Sequence, residues 1–470
     1  MTGMEQAFPT TRCRLGVARR DVTPPVGIYA RSWGAATHEV AEGVHRPFTA
    51  TAAVFAPLDG DAPTLGLVAL DIGWFQHLAD ERALRGAVLE RTGLDESELL
   101  IQMSHTHAGA NTNSRLEGKP GTELIAPYLA RLAVDVGDAV LEARSRLTPA
   151  FVSYGTGRCD LAANRDLWDE EAGRFAAGYN PEGRSDDTVL VARATADDGA
   201  VLATFFNYAC HPTTLAWENR LLSPDFVGAA REVLETAFWA PALFLQGASG
   251  ELAPRDDYVG DPAVADRNGR RLGHAAAAAM EALPPPGTRF AYTGIVASGA
   301  NLGTWEYRPC RPEQLERARA LERVLAHVEL ERKEELGVVD SISGSQPDSP
   351  QEREKALRRT LLREALGDEP VHRMALWAWR LGEALLVAVP NEPYSVFQTE
   401  LRRRFEGTPV LVLMTTNGGV GYLPPRETYG SGRYQEQQSP FAPGCLEQAI
   451  EAAADAFARL PPVGAPHTTG

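Results

Sequence analysis

Apolar positions fall in short runs separated by polar turns, the pattern of strands alternating with helices. The run in "RCRLGVARRDVTPP" (12–25) reads as a strand closed by a Pro-Pro turn. Residues 48–56 and 65–71 read as two strands joined across a Gly/Asp/Pro turn. The next segment, 78–94, has apolar residues at helical spacing and ends at Gly93. "SELLIQM" (97–103) is then a buried strand that turns polar at its end. The alternation continues with a helix over 125–147, a hairpin over 188–215 whose second strand runs into His211, and a helix over 226–238. Beyond them come a strand over 241–254 entering a Gly-rich turn, a helix over 266–283, and strands within 384–394 and 409–425. This order predicts an α/β fold with a large mixed β-sheet core flanked by helices. Segment 311–368 differs in being charge-dense. Its thin apolar stripe, Leu315, Leu321, Val324, Leu325 and Val328, predicts a helical insertion, broken by "GVVDSISGSQPDSP" (337–350). No internal repeat or linker divides the chain, so a single domain over 1–470 is expected.

Composition narrows the class. Of 470 residues 44% are hydrophobic and 23% charged, as in ordinary globular proteins, and the formal net charge of −16 disfavours nucleic acid or an anionic membrane as partner. No apolar run has signal-peptide or membrane-spanning length. The five cysteines are scattered without metal-ligand spacing, so a reduced, cytoplasmic protein without a disulfide framework is expected.

The chemistry-bearing residues sit where strands end. "SHTHAGAN" supplies His105 and His107, "NYACHPT" His211, "VPNEP" Glu392 and "NGGVGYLPP" Tyr422. "QGASGELAP" adds a Gly-rich loop in which Gly247 and Ser249 offer backbone N–H groups to a substrate oxygen and Glu251 a carboxylate to an amine or hydroxyl. Two imidazoles and a carboxylate are a usual protein set for catalytic zinc, whose bound water ionises near pH ~7. The remaining histidine of the His-x-His string would handle a proton. Taken singly, each histidine reads more readily as a hydrogen-bonded structural residue than as a ligand.

In their order along the chain, "GVARRDVTPPVGIYARSWG", "LDIGWF", "MSHTHAGAN", "AANRD", "NYACHPT", "QGASGELAP", "VPNEP" and "GYLPPRETYGSGRYQEQQSPFAPG" make the sequence resemble the catalytic region of the neutral/alkaline non-lysosomal ceramidases. The resemblance implies a Zn2+ held by His105, His211, Glu392 and Tyr422. It implies that Tyr434 polarises the substrate carbonyl, that His107 lies beside the metal, and that Arg165 lines the site, where it would anchor a polar or anionic part of the substrate. Three features depart from the family. Ala253 stands where the family carries a serine, so an acyl-serine route is not expected. Neither the immunoglobulin-like C-terminal domain nor a secretion signal has a counterpart. The resulting expectation is a zinc-dependent hydrolase that cleaves a linear amide (N-acyl) bond of a small or lipid-like metabolite through metal-activated water. The alternatives are a zinc-dependent esterase or lactonase, and a catalytically silent binding protein on the same fold.

Overall fold

The computed structural model describes residues 4–333, 356, 360–364, 366–367 and 369–461. Its main sheet has eight strands in the spatial order Ala242–Gln246, Val201–Tyr208, Thr188–Ala196, Thr148–Arg158, Thr10–Asp21, Thr49–Ala56, Leu65–Leu70, Leu99–Met103. The pair at each edge is parallel and every pairing between them is antiparallel, so the sheet is mixed, as expected. Helices flank it. Leu78–Thr92 and Ile125–Ser145 cover one part of the sheet through Leu84, Val88, Leu132 and Val136. Phe226–Phe238 and Pro262–Glu281 cover the other through Phe226, Leu234, Leu272 and Met280. Local sequence sets the ends of these helices. Gly93 takes φ 69° and donates to Leu89 O at 2.8 Å, a left-handed stop, and Asp261 caps the helix that begins at Pro262.

A second sheet, in the order Leu321–Glu331, Val371–Leu381, Ala384–Ala388, Val410–Leu413, packs on the first. Trp377, Trp379, Leu386 and Leu413 meet Phe55, Leu67, Leu100 and Phe205 in the shared core. Both indoles also satisfy their N–H groups, Trp377 at Glu96 O (2.9 Å) and Trp379 at Ser97 O (2.8 Å). The outer face of this sheet is covered by the Cys445–Arg459 helix.

This sheet corrects one expectation. Within the segment predicted as a helical insertion, Pro312–Ala318 is a helix but Leu321–Glu331 is a strand paired along its whole length with Val371–Leu381. Its apolar side chains are divided between two cores. Leu321 and Leu325 belong to the core between the sheets, whereas Val324, Ala326, Val328 and Leu330 face the Cys445–Arg459 side. From Ala326 the strand keeps a period of two, with His327, Glu329 and Glu331 exposed between Ala326, Val328 and Leu330, while the change of face near Leu325 gives the apolar residues the spacing of a helical stripe. Residues 337–350 lie outside the described residues.

The sheet brings the site residues together in a way that strand order alone does not suggest. Five successive antiparallel pairings separate the two parallel edge pairs, so the strand leading to His211 and the strand leading to His105 run in opposite senses. The curled sheet brings its two edges to one segment: Met414 N donates to Gln246 O (3.0 Å) and Met103 N to Thr415 O (3.4 Å). Residues 414–416 thus join both edges, and the loops that leave them converge. No helix among the described residues is long and apolar enough to cross a membrane.

Candidate metal centre

The Leu99–Met103 strand ends in a turn that tracks its neighbour. Ser104 N donates to Leu70 O (2.8 Å) and His105 N to Ile72 O (3.0 Å). His105 adopts φ 66°, a left-handed conformation that costs a non-glycine residue on the order of 1 kcal/mol. The turn lies close against Gly73, where a Cβ would come within 2.8 Å of Thr106 O. Glycine at that position leaves room for the histidine-bearing turn.

The His105 and His211 rings are both fixed through Nδ1. His105 Nδ1 lies 3.3 Å from Gly73 O, and His211 Nδ1 lies 2.6 Å from Ser249 O and 3.2 Å from Leu252 O. Carbonyls only accept, so each Nδ1 carries a hydrogen, and in the neutral ring each Nε2 presents a lone pair. Burial, with the Arg165 charge next, lowers the His211 pKa to about 3, which keeps the ring neutral. Both Nε2 atoms face one carboxylate oxygen, Glu392 Oε2, at 3.3 Å from His105 and 3.0 Å from His211. His105 Nε2 is buried and, despite the 3.3 Å approach, has no hydrogen bond of acceptable geometry. With both rings neutral, two lone pairs and an anionic oxygen face one another. That arrangement is costly by itself and fits a cation.

His107 joins the cluster. Its ligand nitrogen and those of His105 and His211 lie within 4.8 Å of one another. Its ring lies between Trp33 (5.3 Å) and Trp74 (4.8 Å), and its Nε2 is buried without a partner. Burial, reinforced by the neighbouring imidazoles, pushes its pKa well below the usual histidine value.

Tyr422 is set beside Glu392 by strand pairing, since Glu392–Pro393 runs parallel to Tyr422–Leu423. Its phenol oxygen accepts from Arg165 Nη2 at 3.2 Å, and burial raises its pKa well above the ordinary value. It therefore keeps its proton. The Tyr434 ring is 5.7 Å from that of Tyr422. These groups border a cavity of about 540 Å³ whose wall includes His105, His107, Glu392, Tyr422 and Tyr434.

The other residues singled out in the sequence lie behind this wall. Arg165 is 4% exposed, and its Nη2 donates to Gly250 O (2.7 Å) and lies 3.4 Å from His211 Nε2. It supports the ligand residues from the rear and is not part of the cavity lining. Gly247 is packed against Gln398 and the Tyr208–Ala209 backbone. Ser249 is fully buried, and its hydroxyl accepts from Gln246 Nε2 at 2.7 Å. Both Glu251 oxygens accept from Ser395 N, at 3.0 and 2.9 Å. Ala253, at the position of the family's serine, is buried in a short strand opposite Ala163 and is likewise absent from the wall. A missing hydroxyl there takes nothing from the cavity surface.

Sequence reasoning passed over Trp33, Trp74 and Arg31. Trp33 carried a signal, since it stands in a polar stretch, "RSWG", whereas Trp74 stands beside the core residues Ile72 and Phe75 and reads from sequence as one more of them.

No protein-family model matches this chain, and no curated protein matches it. Solved structures do. A ceramidase complexed with C2 superposes with a TM-score of 0.64 at 17% identity, covering 99% of this chain and 77% of that one. The neutral ceramidase from Pseudomonas aeruginosa gives 0.63 at 18% identity, with the same coverage of 99% and 77%. The chain has the fold of the neutral ceramidases over nearly its whole length.

Proposed function

Proceeding from that fold, we propose that the protein is a zinc-dependent hydrolase that cleaves the N-acyl amide bond of a small or lipid-like metabolite. The observation that carries the reading is the meeting of the His105 and His211 Nε2 atoms at Glu392 Oε2, 3.3 and 3.0 Å away, beside an open cavity. His105, His211, Glu392 and Tyr422 would hold the ion. Zinc, when bound, supplies a Lewis acid and lowers the pKa of its water toward about 7.

This chain's residues do the rest. Backbone carbonyls hold both ligand rings in the Nε2-free tautomer, so no reorganisation is needed at the moment of reaction. Tyr434, on the cavity wall, donates its phenol hydrogen to the amide carbonyl oxygen as negative charge develops there. The carbonyl carbon gains a hydroxyl from water, the C–N bond breaks, and His107 carries a proton to the departing amine. Trp33 and Trp74, against the His107 ring, exclude bulk water from that transfer. The route needs no serine, in keeping with Ala253 and with the burial of Ser249.

A second reading of His107 is favoured by its nitrogen lying within 4.8 Å of the other two. In that reading it is a third nitrogen ligand. The function as a whole is tested by stripping the protein of metal, reloading it with zinc, and assaying N-acyl amides beside matched esters. Chelator-sensitive amide cleavage is expected. Faster cleavage of the esters would make it an esterase, and stoichiometric zinc with no turnover of either class would make it a binding protein.

A further inference from the structure

The charge on the cavity wall runs against the charge of the chain. The protein carries a formal −16, yet among the described residues the cavity is lined by two cations, Arg31 and Lys119, and by one acid, Glu392, which belongs to the metal centre. Lys119 is already paired with Glu39 at 3.1 Å. Arg31 is different. Its Nη2 donates to Gly34 O at 3.0 Å and its Nε points at Trp33 O at 3.5 Å, both carbonyls of its own loop. No carboxylate among the described residues lies within ion-pair distance of it, and it is half-buried. The guanidinium is thus held in place by backbone, while its Nη1 group has no partner among the described residues.

The rest of the lining divides by chemistry. Ser32, Asn111 and Asn113 accompany Arg31, and that side is knit by Asn111 N donating to Tyr29 O at 2.9 Å. Trp74, Phe75, Leu78, Leu361 and Leu362 supply the apolar part. The wall therefore offers an apolar stretch, a candidate metal centre and a fixed cation that has no counter-ion among the described residues. Arg165, the arginine that the sequence suggested as an anchor, faces Gly250 and Tyr422 instead.

We propose that Arg31 is the specificity-determining residue of this cavity and that the substrate is an N-acyl amide whose amine half bears an anion, as in an N-acyl amino acid. This rests on the amide-hydrolase reading of the same site. The acyl chain lies on the apolar lining, and the anion takes the open Nη1 face of the guanidinium. A planar fork suits a carboxylate best and accepts a sulfonate as well. A neutral hydroxyl in the same position leaves the cation unanswered.

The test uses three probes with one acyl chain: N-decanoylglycine, N-decanoyltaurine and the neutral N-decanoylethanolamine. Zinc-loaded wild type is expected to favour the two anionic probes in kcat/KM. Arg31→Gln should raise KM for them by roughly tenfold or more and leave the ethanolamine within about twofold. Arg31→Lys should recover part of the loss. The same ranking is expected in Kd for the metal-free protein, read by tryptophan fluorescence or calorimetry. Equal handling of charged and neutral probes by wild type would overturn the proposal. So would a parallel loss on all three in Arg31→Gln, which marks a role in holding the Trp33 loop. If no probe is turned over, the amide-hydrolase reading fails, while the metal-free Kd comparison still decides the role of Arg31.

Discussion

Replacing His211 by alanine removes one of the two imidazoles that meet at Glu392, and the consequence for zinc can be sized. Apparent zinc binding energies of about 10–16 kcal/mol at four-ligand sites correspond to roughly 3 kcal/mol per ligand, or at least a hundredfold in Kd. Two assays read this separately. A competing chelator gives Kd directly. Thermal melting with and without zinc gives the linked stabilisation, about 4 kcal/mol for wild type at a thousandfold excess over Kd and about 1.4 kcal/mol for a variant binding a hundredfold more weakly at the same zinc concentration. The metal-free variant must be melted as well. His211 is fully buried, and its loss leaves a void and frees Ser249 O, at a cost of about 1–3 kcal/mol that has nothing to do with metal. Zinc affinity and zinc-induced stabilisation equal to those of wild type would refute the assignment of His211 as a ligand.

Three further outcomes are expected. His107→Ala should keep zinc at wild-type stoichiometry and lose about 10²–10⁴-fold in kcat, and a loss of zinc matching that of His211→Ala would make His107 a ligand. Tyr434→Phe should lower kcat by about 10²-fold at nearly constant KM with zinc retained, so a change confined to KM would remove the phenol from carbonyl polarisation. Burial, opposed by hydrogen bonds from Ser395, raises the Glu251 carboxyl from its ordinary 4.5 to about 7. Its folded pKa is thus the higher one, and its contribution to stability is complete below about 4.5 and lost as pH rises through about 7. Relative to wild type, Glu251→Gln should therefore gain up to about 3 kcal/mol between about pH 5 and pH 8.5 in thermal melts, and a stability gap that does not move with pH would contradict this.

Much of the fold was legible because the helices keep a period near 3.6 and the strands are short apolar runs closed by turn residues. The Leu78–Thr92 and Ile125–Ser145 helices and the Leu65–Leu70 and Val201–Tyr208 strands appear close to where residue patterning puts them. The exception, Leu321–Glu331, divides its apolar residues between two cores, Leu321 and Leu325 in one and Val324, Ala326, Val328 and Leu330 in the other, and that spacing resembles a helical stripe. The candidate site was legible in part. His105, His107, His211, Glu392, Tyr422 and Tyr434 border one cavity or touch one another across it. Arg165, Ser249 and Glu251 carry equally suggestive chemistry, yet they face Gly250, Gln246 and Ser395. A polar residue in a loop reads the same from sequence whether it lines a cavity or buttresses the wall behind it. Nor does a strand-end rule account for the convergence, because the two histidine-bearing strands run in opposite senses and meet only through the curl of the sheet onto residues 414–416.

The central claim is that a cation belongs between the two imidazoles and the Glu392 carboxylate. Anomalous scattering from crystals of zinc-loaded protein, recorded on either side of the zinc absorption edge, addresses it directly. A single strong peak within bonding distance of His105 Nε2, His211 Nε2 and Glu392 is the predicted result. A loaded crystal whose anomalous signal lies elsewhere, with those three groups paired only to one another, would contradict it.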